Sequence, residues 1–245
     1  MRTSNPTLND KMFVEAPAIP GGQTMTISGT VNKTMLLTLL LILSAGTCWN
    51  LVEKNPALGT PLMVGGAILG LIVVVIACFK PVWSPVLGPL YGVVEGAFVG
   101  VVSFKYASFY EGIVIQAAMI TVGILFALLF AYRSGVIKAT ENFKLGIVAA
   151  TGGIFLVYLA TMVLGLFGVG IPYIHGSGTI GILFSLFVVV IAALNLVLDF
   201  DFIENGEAAG APKYMEWRAA IGLLVTLVWL YIEVLRLLAK LRGRD

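Results

Sequence analysis

The sequence predicts an all-α membrane protein, a bundle of seven transmembrane helices. Three observations carry this. Of the 245 residues, 59% are hydrophobic and only 11% are charged, less than half the roughly 25% charge of an average soluble domain. The mean hydropathy is +0.99. The apolar residues fall in long continuous runs rather than in short alternating ones, so the pattern is that of spanning helices and not of a membrane barrel with segments of about 10 residues. A soluble monomer of this composition cannot cover itself with polar groups, which excludes an ordinary cytoplasmic enzyme and a disordered chain. The net charge of +2 is too small to point to nucleic acid. The partner that composition does imply is the lipid bilayer, where backbone groups must be satisfied within each segment.

The spans follow in order. Residues 1–33 are polar, with Pro6, Pro17, Pro20 and the pair Gly21-Gly22, and read as a flexible tail. Residues 34–52 and 55–79 carry no charge, and each is near the roughly 20 residues that a crossing needs. Pro81 and Pro85 then break the pattern. A third span covers 86–104, interrupted only by Glu95, and a fourth covers 112–132. From Leu145 to Leu198 no Asp, Glu, Lys or Arg occurs, which is too long for one crossing. Gly168-Val169-Gly170-Ile171-Pro172 and His175-Gly176-Ser177-Gly178 divide it into spans near 145–167 and 178–200. The last span runs from about Trp217 to Leu238. The membrane domain is thus 34–240, followed by a basic tail at 241–245. The lone His175 makes no metal site, and Cys48 and Cys78 lie in apolar runs as filler.

Basic residues set the orientation. With a cytoplasmic N-terminus, the inner segments hold nine: Arg2, Lys11, Lys33, Lys80, Arg133, Lys138, Lys144, Lys213 and Arg218. The outer loops hold two, Lys54 and Lys105, while Lys240, Arg242 and Arg244 at the C-terminus run against the rule. Gly92, Gly96 and Gly100 repeat every fourth residue, as do Gly66 and Gly70. Such faces let helix backbones approach closely, here within the bundle. No internal repeat is evident, which weakens a transporter built from inverted repeats.

An ionisable group inside the bilayer costs roughly 2.5–3.5 kcal/mol on insertion scales, so the few that occur are informative. Glu95 lies mid-span, either hydrogen-bonded to a neighbouring helix or lining a wet pathway. Asp199 ends the sixth span, and Asp201 opens an acidic loop with Glu204 and Glu207. Glu233 and Arg236 sit within the seventh span, three residues apart, where they can pair along one face. Alternatively Glu233 meets Asp199 across two antiparallel helices. Two close carboxylates do not readily both ionise, so they share a proton and titrate as a unit. Ionised, the same oxygens suit calcium.

At these residues the chain resembles the Bax inhibitor (transmembrane Bax inhibitor motif) family. Leu198-Asp199-Phe200-Asp201-Phe202-Ile203-Glu204-Asn205-Gly206 is similar to the family's sixth-helix ending, an Asp followed four residues later by Ile. Leu230-Tyr231-Ile232-Glu233-Val234-Leu235-Arg236-Leu237-Leu238 is similar to its last helix, a Leu-Tyr-Leu-Asp-Ile-Ile-Asn-Leu pattern. The polar start Met1-Arg2-Thr3-Ser4-Asn5-Pro6 resembles a bacterial branch, which implies a bacterial plasma membrane. The resemblance implies a bundle with a central last helix and a pH-sensitive calcium leak. It also implies a carboxylate pair, Asp199 with Glu233, whose protonation governs closure. Glu233 stands where the family has Asp, Arg236 where it commonly has Asn, and the second span lacks the acid and base of some bacterial members. Glu95 on the third span is a candidate substitute.

Two further functions compete with the leak. One is a regulatory protein that binds a membrane protease or another membrane partner through residues 1–33. The other is a proton-coupled transporter using Glu95, Asp199 and Glu233. An enzyme is not expected: no Ser-His pairing at usable depth, no His-Glu-x-x-His and no phosphate-cradling loop occurs. No cofactor is expected, with calcium entering only as a permeant ion.

Overall fold

A computed structural model of the chain describes residues 23–167 and 176–243. Most of the polar N-terminal segment, His175 with the Gly168–Pro172 divider, and Arg244 lie outside the described residues. Among those described, seven α-helices are long and apolar enough to cross a membrane. They are α1 (Ile27–Lys54), α2 (Gly59–Phe79), α3 (Ser84–Phe109), α4 (Ile113–Arg133), α5 (Glu141–Leu166), α6 (Thr179–Ala208) and α7 (Met215–Arg242).

Local chemistry sets the ends. Asn55 precedes Pro56 and Lys80 precedes Pro81; a residue before proline is pushed out of the helical region, so α1 and α2 stop there and each proline opens a short 3-10 turn. Gly112, at φ 71°, supplies the left-handed residue between α3 and α4. The Thr140 hydroxyl accepts the Phe143 N–H and caps α5.

Two helices run furthest past their sequence-based limits. The first begins at Ile27 rather than at Thr34, because the Thr26 hydroxyl accepts the Gly29 N–H at 3.0 Å and caps it. The sixth does not end at residue 200. The stretch expected to be a solvated acidic loop is helical through Ala208, and its acids hold neighbours. Asp201 pairs with Lys144 at 2.7 Å, Glu204 accepts the Tyr132 hydroxyl, and Glu207 accepts the Ile27 N–H at 2.9 Å. Pairing removes the need for water that the loop reading assumed.

Helix α7 packs on α1, α3, α4 and α6. Within the apolar stretch of each helix, 56% is buried in α3, α6 and α7, against at most 22% in the others. The outer helices turn large side chains such as Leu39, Leu71, Phe126 and Phe155 outward, as expected where lipid is the solvent. The core follows α7 along its length, with Met215, Ala219, Leu223 and Leu230 in one cluster and Ala220, Ile221, Leu224 and Val228 in a second.

The glycine repeat on α3 faces α1. A Cβ at Gly92 would come 3.0 Å from the Leu37 carbonyl oxygen; at Gly96 and Gly100 it would overlap the Leu41 and Ala45 carbonyl oxygens. The Ser44 hydroxyl then reaches the Val93 carbonyl at 2.6 Å across the two helices. Close approach is therefore used for packing inside the bundle. Gly96→Ala is expected to lose about 1–3 kcal/mol through overpacking. Gly123→Ala, with nothing within 4 Å of its Cβ, is expected to be neutral or slightly stabilising. Thermal unfolding of both variants in detergent checks this contrast.

Candidate functional site

The polar residues of α7 form a line of bonds to every other helix. At its start Glu216 is fully buried. Its Oε1 accepts the Thr26 N–H and hydroxyl, each at 2.9 Å, and the Lys213 ammonium at 2.8 Å. Lys33 of α1 closes on the other oxygen. Any side chain at Gly29 would collide with this carboxylate. Two residues on, the fully buried Arg218 donates to the Ala77 carbonyl and, at 3.2 Å, to that of Cys78. These lie in the last turn of α2, where carbonyls lack helical partners and the dipole end is negative.

Further along, Tyr231 shares a 2.7 Å hydrogen bond with Ser103 of α3. Glu233, 1% exposed, accepts the Tyr158 hydroxyl of α5 at 3.1 Å on each oxygen. Arg236 Nη1 donates to Glu233 Oε1 and to the Tyr158 oxygen, both at 2.7 Å. The guanidinium lies 5.1 Å from the Tyr158 ring centre, within cation–π range. Lys240 donates to the Gly181 carbonyl at 3.0 Å and the Ser185 hydroxyl at 2.8 Å, both on α6. Arg242 reaches the Glu111 carbonyl at 2.7 Å and Gln116 of α4 at 2.8 Å.

The Lys240 contacts fix the antiparallel register of α6 on α7. Carried along both helices, that register sets Asp199 level with Gly222–Thr226. Glu233 then lies roughly 10–16 Å further along the axis, at about 1.5 Å per residue. The expected Asp199–Glu233 pair is therefore not formed. Glu233 takes the alternative partner three residues on, Arg236, because one helical turn brings them together whatever the helix register. Among the described residues no group of three acidic, His or Cys side chains is placed to hold a metal.

Asp199 itself is 1% exposed, on the strongly buried part of α6. One turn deeper, the Asn195 amide donates to the Thr151 hydroxyl of α5 at 2.9 Å and to the Ile191 carbonyl at 2.8 Å. Glu95 lies at the midpoint of the span Pro81–Phe109 and is buried. Its carboxylate faces Gly70, whose missing side chain makes room for it, and no hydrogen bond holds it among the described residues. It lies on the α2 side of α3.

Sequence reasoning missed Tyr158, Glu216 and Lys240 as site-forming residues, and counted Lys33, Lys144 and Arg218 only as loop charges. A tyrosine in an apolar run gives no signal of what its hydroxyl meets. The pair Glu216 and Arg218, two apart at a helix start, was the one available hint, since both cannot face water from a buried helix.

Seven apolar helices whose mid-span acids Glu95, Asp199 and Glu233 are buried define a polytopic integral membrane protein. The family model described as Bax inhibitor 1 like matches residues 5–243, nearly the whole chain, and the chain belongs to that family. No curated protein and no solved structure matches it significantly.

The Glu233–Arg236 pair makes a stability prediction. Arg236→Gln leaves a buried carboxylate without its cation, a loss of about 3–5 kcal/mol for a fully buried pair. The side chain of Arg236 is 31% exposed, so screening brings the loss below that range. The double variant Glu233→Gln/Arg236→Gln is expected to recover most of it, as read by a double-mutant cycle on thermal unfolding in detergent.

Proposed function

We propose that the protein is a pH-sensitive calcium leak of the Bax inhibitor type, with Asp199 as the acid whose protonation governs closure. The observation that carries this reading is a carboxylate with 1% exposure on α6, the helix that packs along α7. A change of charge there alters the electrostatics of the tightest part of the bundle, where the low local dielectric magnifies it. Asn195 and Thr151 continue the polar lining one turn away. The Glu233–Arg236–Tyr158 cluster closes the same seam further along and ties α5 across it. In this reading the cluster is the plug, and Glu233 is a neutralised member of it rather than the second half of a proton-sharing pair. Glu95 is a separate acid on the other side of α3.

The orientation proposed is N-terminus cytoplasmic, in a bacterial plasma membrane. Helix order places Lys33, Lys80, Arg133, Lys138, Lys144, Lys213 and Arg218 at the end where α1 begins. Lys54, Lys105, Lys240 and Arg242 lie at the other. The first set is the larger, as the positive-inside rule requires of the cytoplasmic end.

The test is calcium flux into liposomes holding the purified protein, titrated from acid to alkaline pH. Wild type is expected to leak in a pH-dependent way, Asp199→Asn to lose that dependence, and Glu233→Gln/Arg236→Gln to leak more at a fixed pH. Flux no greater than that of empty liposomes at any pH would overturn the leak and leave the partner-binding regulator as the next reading.

A further inference from the structure

One buried acid takes no part in the polar bonds of α7. Glu95 stands at the midpoint of the span Pro81–Phe109 with 9% exposure. Its carboxyl enters the contact between α2 and α3, where a Cβ at Gly70 would overlap its Oε2. One turn away a Cβ at Gly66 would come 3.0 Å from the Phe98 Cβ, so the two helices approach closely there. From Pro61 to Ala77, α2 has no polar side chain. Around this contact Leu90 and Val93 of α3 and Ile68, Leu69, Leu71 and Ile72 of α2 are exposed, as surfaces that meet lipid.

No hydrogen bond or ion pair reaches Glu95 among the described residues. Tyr91, one turn back on α3, is the titratable group beside it. Cys78 of α2 lies about two turns beyond Gly70. The cations of the helices packed on α3 are held elsewhere or stand at helix ends. Lys33 of α1 is on Glu216, Arg218 of α7 on the Ala77 and Cys78 carbonyls, and Arg236 on Glu233. Lys54 ends α1, Arg133 ends α4, and Lys240 and Arg242 end α7. Lys105 is on the last turns of α3 itself. A carboxylate charge in hydrocarbon is costly without a cation or water. A buried water needs several polar partners, and the facing stretch of α2 offers none. The neutral acid avoids both costs.

We propose that Glu95 is a proton-binding site inside the membrane, a neutral carboxyl in a dry contact that a lipid-soluble carbodiimide modifies. The reaction needs no further reagent. The carboxyl proton passes to one carbodiimide nitrogen while the carboxyl oxygen bonds to the central carbon. The acyl group then shifts from that oxygen to a nitrogen and leaves an N-acylurea. No atom departs, so the peptide gains the mass of the whole reagent. A carboxylate lining a water-filled pathway is open to a water-soluble carbodiimide instead. The site concerns α2 and α3 and holds whether or not the protein conducts calcium.

The experiment uses the full chain in phosphatidylcholine liposomes near neutral pH. Dicyclohexylcarbodiimide, which partitions into lipid, is compared with a water-soluble carbodiimide that carries a tertiary amine. Adducts are located by peptide mass spectrometry. The lipid-soluble reagent is expected to label Glu95, and the water-soluble one to leave it unmodified. Glu233, held by Arg236, is expected to stay unlabelled in the same digest. Glu95→Gln, which lacks the acid, is expected to lose the adduct altogether. Because the adduct is located on the wild-type peptide, the test stands even where that variant does not fold. No adduct at Glu95 with the lipid-soluble reagent, or an adduct there with the water-soluble one, overturns the site.

Discussion

Charge that leaves water must find its partners inside the protein, and in this bundle most of that requirement falls on one helix. Helix α7 carries Glu216, Arg218, Glu233, Arg236, Lys240 and Arg242 along an otherwise apolar surface. Each is answered by a group on another element or on α7 itself. Glu216 takes the start of α1, Arg218 the end of α2, Lys240 the start of α6 and Arg242 the start of α4. Tyr231 takes α3 and the Glu233–Arg236 pair takes α5 through Tyr158. All six other helices are thereby bonded to the seventh. Between lipid-facing helices little hydrophobic force remains, because lipid is as apolar as the side chains themselves; packing and polar bonds must supply what is left. The glycine face of α3 supplies the first kind of contact and α7 the second.

The same arrangement explains why the seam between α6 and α7 is the candidate site. Asp199 is not at the surface of the bundle but buried on one of its three most enclosed helices. Its level along α7 is set by contacts at the far end, through Lys240. The Glu233 cluster occupies a different level, with a neutral overall charge and a tyrosine from a third helix. The two acids are therefore separate features of one interface, one buried beside an amide and a hydroxyl, the other locked to its own helix.

Much of the fold was legible in the sequence, because span length and charge-free runs follow from the thickness of hydrocarbon. All seven spans and the inward use of Gly92, Gly96 and Gly100 rest on such local or periodic signals. The ends of α1 and α6 were misjudged for a common reason. Thr26, Asp201, Glu204 and Glu207 look like solvated residues, and their partners lie far away in the chain. The pairing of Glu233 was decided by register, which two motif resemblances do not contain: Arg236 is one turn away on the same helix, while Asp199 is two to three turns off along the axis. Tyr158 illustrates the remaining gap, since its role depends wholly on which helix faces which.

The helix that binds all the others follows them in the chain. During synthesis the first six helices enter the membrane before their common partner exists. Until α7 arrives, Lys33, Tyr158, Ser103 and the open carbonyls at the end of α2 lack the partners that they have in the finished bundle. Assembly of this protein then ends on one closing event, in which α7 joins the packing that α1, α2 and α3 already make among themselves. Quality control would meet any chain interrupted before α7 as six helices whose inward polar groups lack their common partner.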